Sequence, residues 1–392
     1  MIEREISPYL KKLIKKYPVI TITGPRQSGK TYLAKNTLIN YQYVNLEDLE
    51  IRSFAKNDPK GFFKKYPGKL IIDEIQRVPE LTSYIQVVTD EKNQSGQFVL
   101  TGSQNFQIMD TLSQSLAGRT ANLTLLPFSF NEIEKKYKKK DFIDKLIFTG
   151  FYPRIYDKRL NPTEMLSSYV ASYVERDLKQ LSAIKNLDLF QRFMVLCAGR
   201  VGQLLNLNNI SNDLGVSSNT LKEWLSLLRA SYIIFLLQPF HPNINKRLVK
   251  SPKLYFYDVG LVCYLLGIDN EKQLKTHPLR GQLFENLIVI EVLKHRYNNG
   301  LNNNLSFYRD SNSNEIDLIY QTADRFTAIE IKSTNTIRFD KEYGRDIFKN
   351  IENIKSIMKN KVKNKVIIYS GDNDYKMQGY EIKNIKSFRS AL

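Results

Sequence analysis

Gly24-Pro25-Arg26-Gln27-Ser28-Gly29-Lys30-Thr31 is the stretch on which the reading of this chain turns. Pro18-Val19-Ile20-Thr21-Ile22-Thr23 precedes it, a short apolar and β-branched run of the kind that forms a buried strand. Tyr32-Leu33-Ala34-Lys35 follows it and continues as a helix. Strand, G-x-x-x-x-G-K-T, helix is the full context of a phosphate-binding loop. Gly24 and Gly29 let the backbone wrap phosphates with its N–H groups inward, and the helix N-terminus adds the positive end of its dipole. Pro25, Arg26, Gln27 and Ser28 complete the loop. Lys30 is placed to reach the β- and γ-phosphates, and Thr31 to ligate Mg²⁺.

Working outward, Leu70-Ile71-Ile72-Asp73-Glu74 reads as an apolar strand ending in two carboxylates. Asp73 suits the Mg²⁺ ligand sphere, and Glu74 suits polarisation of an attacking water, which points to a hydrolase. Tyr41–Asn45 and Gln97–Thr101 read as further strands. Gly102-Ser103-Gln104-Asn105 follows the latter, and Ser103, Gln104 and Asn105 are all candidates for contact with the γ-phosphate and lytic water. A turn uses the same residue types. Arg119 precedes an alternating strand at Ala121–Leu125. It is either a surface charge or a group that neutralises transition-state charge, in cis or from a neighbouring subunit of a homo-oligomer.

The chain has 392 residues, enough for two or three domains with a full core. It is 42% hydrophobic and 25% charged, which excludes a disordered, collagen-like or disulfide-stapled class. Cys197 and Cys263 are isolated, so a structural zinc site is excluded and a reducing compartment is expected. The first residues lack the apolar core of a signal peptide, and no apolar run is long enough to span a bilayer. The expectation is a cytoplasmic protein with no membrane partner. The net charge of +18 favours a polyanionic partner, most simply nucleic acid, with DNA preferred. Lys-rich codon usage is the bland alternative. The positive excess lies in residues 1–250 and 351–392, while residues 251–350 balance.

The middle of the chain reads as helical. Lys135, Lys136, Lys138, Lys139 and Lys140 end a basic stretch, more simply a solvated helix end than a phosphate contact. Pro162–Leu181 reads as a long helix. Leu207–Leu214, a turn at Gly215-Val216-Ser217, and a helix from Ser218 form a helix-turn-helix pattern. Ser218, Asn219, Thr220 and Lys222 are its DNA-reading candidates, although such units also serve as packing modules. Strands at Tyr232–Leu237 and Lys253–Tyr257 would frame a wing, with Asn245, Lys246 and Arg247 as its contacts.

The last third alternates in a defined order. A helix at Leu283–Arg296 carries Glu285. Strands follow at Leu305–Asp310, at Glu315–Tyr320 with Asp317, and at Arg325–Lys332 with Glu330 and Lys332. A helix at Lys341–Met358 and a strand at Lys365–Ser370 close the unit. This order resembles the core of the PD-(D/E)xK nuclease fold, and Asp317 with Glu330-x-Lys332 resembles its signature. Residues i and i+2 share one strand face, so Glu330 and Lys332 point the same way. Glu285, Asp317 and Glu330 would hold Mg²⁺ through oxygen, and Lys332 would position or deprotonate the attacking water. The alternative is a structural ion-pair cluster in a domain that does not cut. Glu315-Ile316 stands where the motif's proline would be.

The run GPRQSGKT, LIIDEIQRVPEL, VLTGSQNF and SLAGRTANLTLLPFSFNEI resembles a bacterial and archaeal family of AAA+-type ATPases. Proteins of that family carry a C-terminal domain of unknown function related to PD-(D/E)xK nucleases. The resemblance implies ATP rather than GTP, an extra strand between those of Lys30 and Asp73, and an arginine-finger role for Arg119. The expected α/β architecture is an AAA+-like P-loop domain with a parallel sheet at 1–150. A helical, winged-helix-like region at 151–265 and a nuclease-like α/β domain at 266–392 follow. The expected function is an ATPase coupled to nucleic-acid binding, with a Mg²⁺-dependent nuclease-like site. The alternative is a non-cleaving ATPase switch or DNA-binding regulator that uses the C-terminal domain for docking.

Overall fold

The computed structural model describes residues 2–102, 116–134, 142–173, 184, 186–240, 251–310, 314–337 and 361–392. Its first sheet contains β1 (Val19–Thr23), β2 (Gln42–Asn45), β3 (Leu70–Asp73), β4 (Phe98–Thr101) and β5 (Thr120–Thr124). The order is β2-β3-β4-β1-β5 and every pairing is parallel. β4 therefore stands between β1 and β3, as the resemblance implied.

A parallel sheet covered on both faces needs strands that are apolar throughout, with successive side chains sent to opposite sides. Val19, Leu70, Ile72, Phe98 and Leu100 pack on one face with Phe62, Leu81 and Ile85. Ile20, Ile22, Ile71 and Val99 pack on the other with Leu10, Leu33 and Ala34. The helix Lys30–Thr37 follows β1, and Leu81–Lys92 precedes β4. Asp48 caps Leu49–Asn57 by accepting from the Glu50 and Ile51 amides, and Asp58 caps Pro59–Lys65 through Gly61.

The second sheet has eight strands. They are β6 (Ile234–Pro239), β7 (Lys253–Phe256), β8 (Leu305–Arg309), β9 (Glu315–Thr322), β10 (Arg325–Lys332), β11 (Val362–Tyr369), β12 (Tyr375–Met377) and β13 (Tyr380–Asn384). The order is β12-β13-β11-β10-β9-β8-β6-β7. β6 and β7 pair antiparallel, as a wing would, but the other edge of β6 is taken by β8 through Gln238 and Pro239. The β6–β7 pair is thus continuous with the C-terminal sheet. The connecting residues Asn245, Lys246 and Arg247 lie outside the described residues, as do the lysines at 135–140 and the helix expected at Lys341–Met358.

Arg280–Asn298 is buried nearly all round, including Leu283, Phe284, Leu287, Ile288 and Val292. One apolar core runs from this helix through the middle helices to Phe388 and Ala391. The helix-turn-helix pattern is realised as Leu207–Leu214 and Ser218–Ala230, joined through Gly215 in the left-handed region at φ 66°. Ser217 caps the second helix, while Leu221, Trp224, Leu225 and Leu228 face the core. Asn219 and Lys222 are exposed.

Candidate nucleotide site and a buried carboxylate–lysine cluster

β1 delivers the chain into the loop with no room for a side chain at its first residue. Gly24 has φ 145°, and a Cβ there would collide with the Leu125 carbonyl oxygen. Gly29, at φ 90°, is the left-handed residue from which the helix Lys30–Thr37 starts. Ser28 is fully buried, and its Oγ and Gln27 Oε1 have no hydrogen-bond partner among the described residues. Buried polar atoms of this kind are ordinarily satisfied. A polar guest in the loop suits them.

Lys30 is buried, and its Nζ donates to the Gly24 and Pro25 carbonyls at 3.1 and 2.8 Å. Burial pulls its pKa down to about 8, against the opposing pull of Glu74 and Asp73. Thr31 Oγ1 donates to Asp73 Oδ2 at 2.9 Å, so the hydroxyl and carboxylate expected around Mg²⁺ are already together. Two further donors hold the same carboxylate: Tyr43 OH at 2.8 Å, and Thr101 Oγ1 on Oδ1. Neither was read from the sequence. Tyr43 lies on β2, beside β3, and Thr101 ends β4, so only the strand order brings them to Asp73.

Glu74 leaves β3 in the left-handed region at φ 58°, and its carboxylate accepts from Gln76 Nε2. Burial raises its pKa, with Lys30 opposing. The Asp73–Glu74 end of β3 and the loop after β1 share the C-terminal edge of the sheet, where ligands of open α/β sheets bind. Arg119 does not join them. It precedes β5, its carbonyl accepts from the Val19 amide at the opposite edge, and its side chain grips Asp90 at 2.6 and 2.9 Å. In this arrangement the side chain is held away from its own loop. Ser103, Gln104 and Asn105 lie outside the described residues.

Residues 16–134 match an AAA domain family. This segment is similar to AAA domains. Two further matches follow it, both to domains of unknown function: DUF8612 over residues 140–272 and DUF4143 over residues 280–388. An uncharacterized protein of Mycobacterium tuberculosis is 28% identical over 343 residues, covering 85% of this chain and 74% of that protein. An uncharacterized protein of Haemophilus influenzae is 25% identical over 365 residues, covering 84% and 86%. The Walker-type ATPase PABY2304 of Pyrococcus abyssi is 15% identical with a TM-score of 0.47, covering 68% of this chain and 96% of that one. No described helix is long and apolar enough to cross a membrane.

The second cluster lies where β9, β10, β7 and the helix Arg280–Asn298 meet. Lys332 Nζ is 3.0 Å from Glu330 Oε2 and 4.0 Å from Asp317 Oδ2. Asp317 Oδ2 also accepts from the Ile331 amide at 2.8 Å. Glu330 is buried, and its Oε1 has no hydrogen-bond partner among the described residues. Burial, and then Asp317, push its pKa up against Lys332. Glu285 comes from the helix, and burial raises its pKa while Lys253 opposes.

The pairing of Glu285 departs from expectation. Its Oε1 accepts from Lys253 Nζ at 3.0 Å and Tyr255 OH at 2.5 Å. Lys253 Nζ is also 2.6 Å from Glu315 Oε1. Among the described residues, no three Asp, Glu, His or Cys side chains are arranged to hold one metal ion. Lys253 thus ties Glu285 to Glu315, while Asp317 still acts on both Glu285 and Glu330 and raises their pKa values. From the sequence, Lys253 is placed only at the start of a strand. The available signal was its alternation with Tyr255 on one face of an apolar strand.

Proposed function

We propose that this chain binds and hydrolyses ATP with Mg²⁺ and couples that cycle to nucleic acid. One observation carries the reading: Thr31, Asp73 and the phosphate-loop Lys30 converge at one sheet edge with Glu74 beside them. Lys30 neutralises phosphate charge, Glu74 orients and deprotonates the attacking water, and Asp73 with Thr31 would hold the metal. Bound Mg²⁺ supplies charge neutralisation of the β- and γ-phosphates. Arg119, remote from its own loop, acts if at all on the loop of a neighbouring copy. ATP turnover by the wild type, lost in Lys30→Ala, tests the reading; equal turnover by both proteins would overturn it.

Nucleic-acid engagement rests on the charge of +18 and on the helix from Ser218, whose Asn219 and Lys222 face solvent. A labelled duplex titrated at rising salt should lose affinity steeply, and Lys222→Ala should weaken binding.

Two readings compete for the C-terminal cluster. Asp317, Glu330 and Lys332 stand on adjacent strands in the nuclease pattern, and Glu330 Oε1, without a partner among the described residues, is suited to a cation. Lys253 on Glu285 favours the second reading, a non-cleaving switch whose C-terminal unit binds without cutting. Incubation of labelled single- and double-stranded DNA with ATP and Mg²⁺ or Mn²⁺ separates them. Cutting that disappears in Lys332→Ala supports the nuclease. No cutting by an ATPase-active protein supports the switch.

A further inference from the structure

Residues 2–6 run between the two cores. Ile2 packs with the core of the middle and C-terminal regions, and Ile6 packs with the AAA+ core. Arg4 lies between them with its side chain only 3% exposed. Its Nη1 donates to the Ser28 carbonyl of the phosphate loop at 2.6 Å. Its Nη2 donates to the Leu126 carbonyl at 2.6 Å, and its Nε to Glu132 Oε1 at 3.1 Å. All three faces of the guanidinium are thus committed, one of them to the loop.

The next residue faces the other way. Glu5 receives Arg389 Nη1 at 2.9 and 3.0 Å, Ser129 Oγ at 2.7 Å and Asn298 Nδ2 at 3.2 Å. Its own amide donates to Glu132 Oε1, the same oxygen that Arg4 holds. Arg389 also reaches Glu291 at 3.3 Å. Glu291 in turn accepts from Lys294 Nζ and the Phe130 amide, and Lys294 donates to the Phe128 carbonyl. The chain of contacts therefore runs from the phosphate loop through Arg4, Glu132 and Glu5 to Arg389.

We propose that Arg4 is a positioning residue for the phosphate loop, and that Glu5 transmits the state of that loop to Arg389 and the helix Arg280–Asn298. The proposal rests on the ATP-binding reading of the loop. Phosphate in the loop takes Lys30 from the Gly24 and Pro25 carbonyls. The loop then resettles, and the Ser28 carbonyl moves with it. Arg4 has no slack, because its other donors are fixed on Leu126 and Glu132. The shift therefore passes to the Glu132 carboxylate, which Glu5 shares. Largely buried charges tied to one another suit this role, since they have discrete arrangements rather than a continuous range.

The test is amide hydrogen exchange on the full chain with and without a non-hydrolysable ATP analogue and Mg²⁺, with binding confirmed separately by titration. In the wild type, nucleotide should change exchange in residues 385–392 by about fivefold or more. In Glu5→Gln, which keeps acceptors for Ser129 and Asn298, nucleotide should still bind while that response disappears. Arg389→Gln should lose it equally, which covers the case of either variant folding poorly. A wild type that binds nucleotide without any change at 385–392 overturns the relay and leaves the ATP reading standing. A response that survives in both variants overturns it too. Failure of the wild type to bind nucleotide overturns the ATP reading and the relay together.

Discussion

Thr31 and Asp73 stand 42 positions apart in the chain, yet the hydroxyl of one donates to the carboxylate of the other at 2.9 Å. Parallel strands in the order β3-β4-β1 bring them to one edge, and Tyr43 and Thr101 hold the same carboxylate. Asp73 is fixed by three hydroxyls, and on the proposed ATPase reading Glu74 is the general base. Glu74→Gln should bind ATP nearly as the wild type does but hydrolyse it about 10²–10⁴-fold more slowly, the range for loss of a general base. Single-turnover hydrolysis beside equilibrium binding checks both halves.

Lys30 gives a pH dependence. Burial holds its pKa near 8 in the free protein, and bound phosphates must raise it, because they favour the charged form. The bound state then carries more protons than the free state above pH 8. Affinity for ATP should therefore fall as pH rises through 8, approaching about tenfold per pH unit while the bound form stays protonated. Calorimetry in two buffers of different ionisation enthalpy should detect proton uptake on binding at pH 9. An affinity flat from pH 7 to 9.5 would contradict this.

The two loop glycines should respond differently to alanine. Gly24→Ala drives a Cβ into the Leu125 carbonyl, so backbone must shift. Gly29→Ala meets nothing closer than 3.6 Å and bears only the cost of a left-handed alanine, about 1–2 kcal/mol. Urea denaturation should show a clearly larger loss for Gly24→Ala.

Lys253 is 3% exposed and neutralises both Glu285 and Glu315. Removing one partner of a buried pair leaves an uncompensated charge, at a cost of about 3–5 kcal/mol. Lys253→Met should therefore lower stability by that order near neutral pH. The loss should shrink as the pH is lowered, because protonated carboxylates no longer need the ammonium. Denaturation midpoints at pH 7 and pH 5 make the comparison.

What could be read from the sequence was whatever is written contiguously. The loop from Gly24 to Thr31 and the strand ending in Asp73-Glu74 carry their chemistry within a few residues, so local pattern was enough. The alternation at Glu330 and Lys332 gave a shared face correctly. Lys253, Arg4 and Tyr43 were invisible because their roles exist only across the fold: Arg4 finds Leu126 and Glu132 across 122 and 128 positions. The hairpin β12–β13 also went unread. Gln378 and Gly379 make its turn with φ of 49° and 81°, a conformation that composition alone does not announce. Arg119 was read from its neighbours in sequence, but the direction of β5 sends it to the edge away from the loop.

The junction of β6 with β8 bears on how such proteins can be taken apart and recombined. A piece beginning at Arg280 would present β8 with the edge that receives Gln238 and Pro239 stripped bare, an open template for self-association. It would also lack Lys253, leaving Glu285 and Glu315 without their shared cation. The nuclease-patterned strands are therefore not a portable cassette. Gene fusion or exchange that preserves the fold has to carry residues from Ile234 onward as one inheritance.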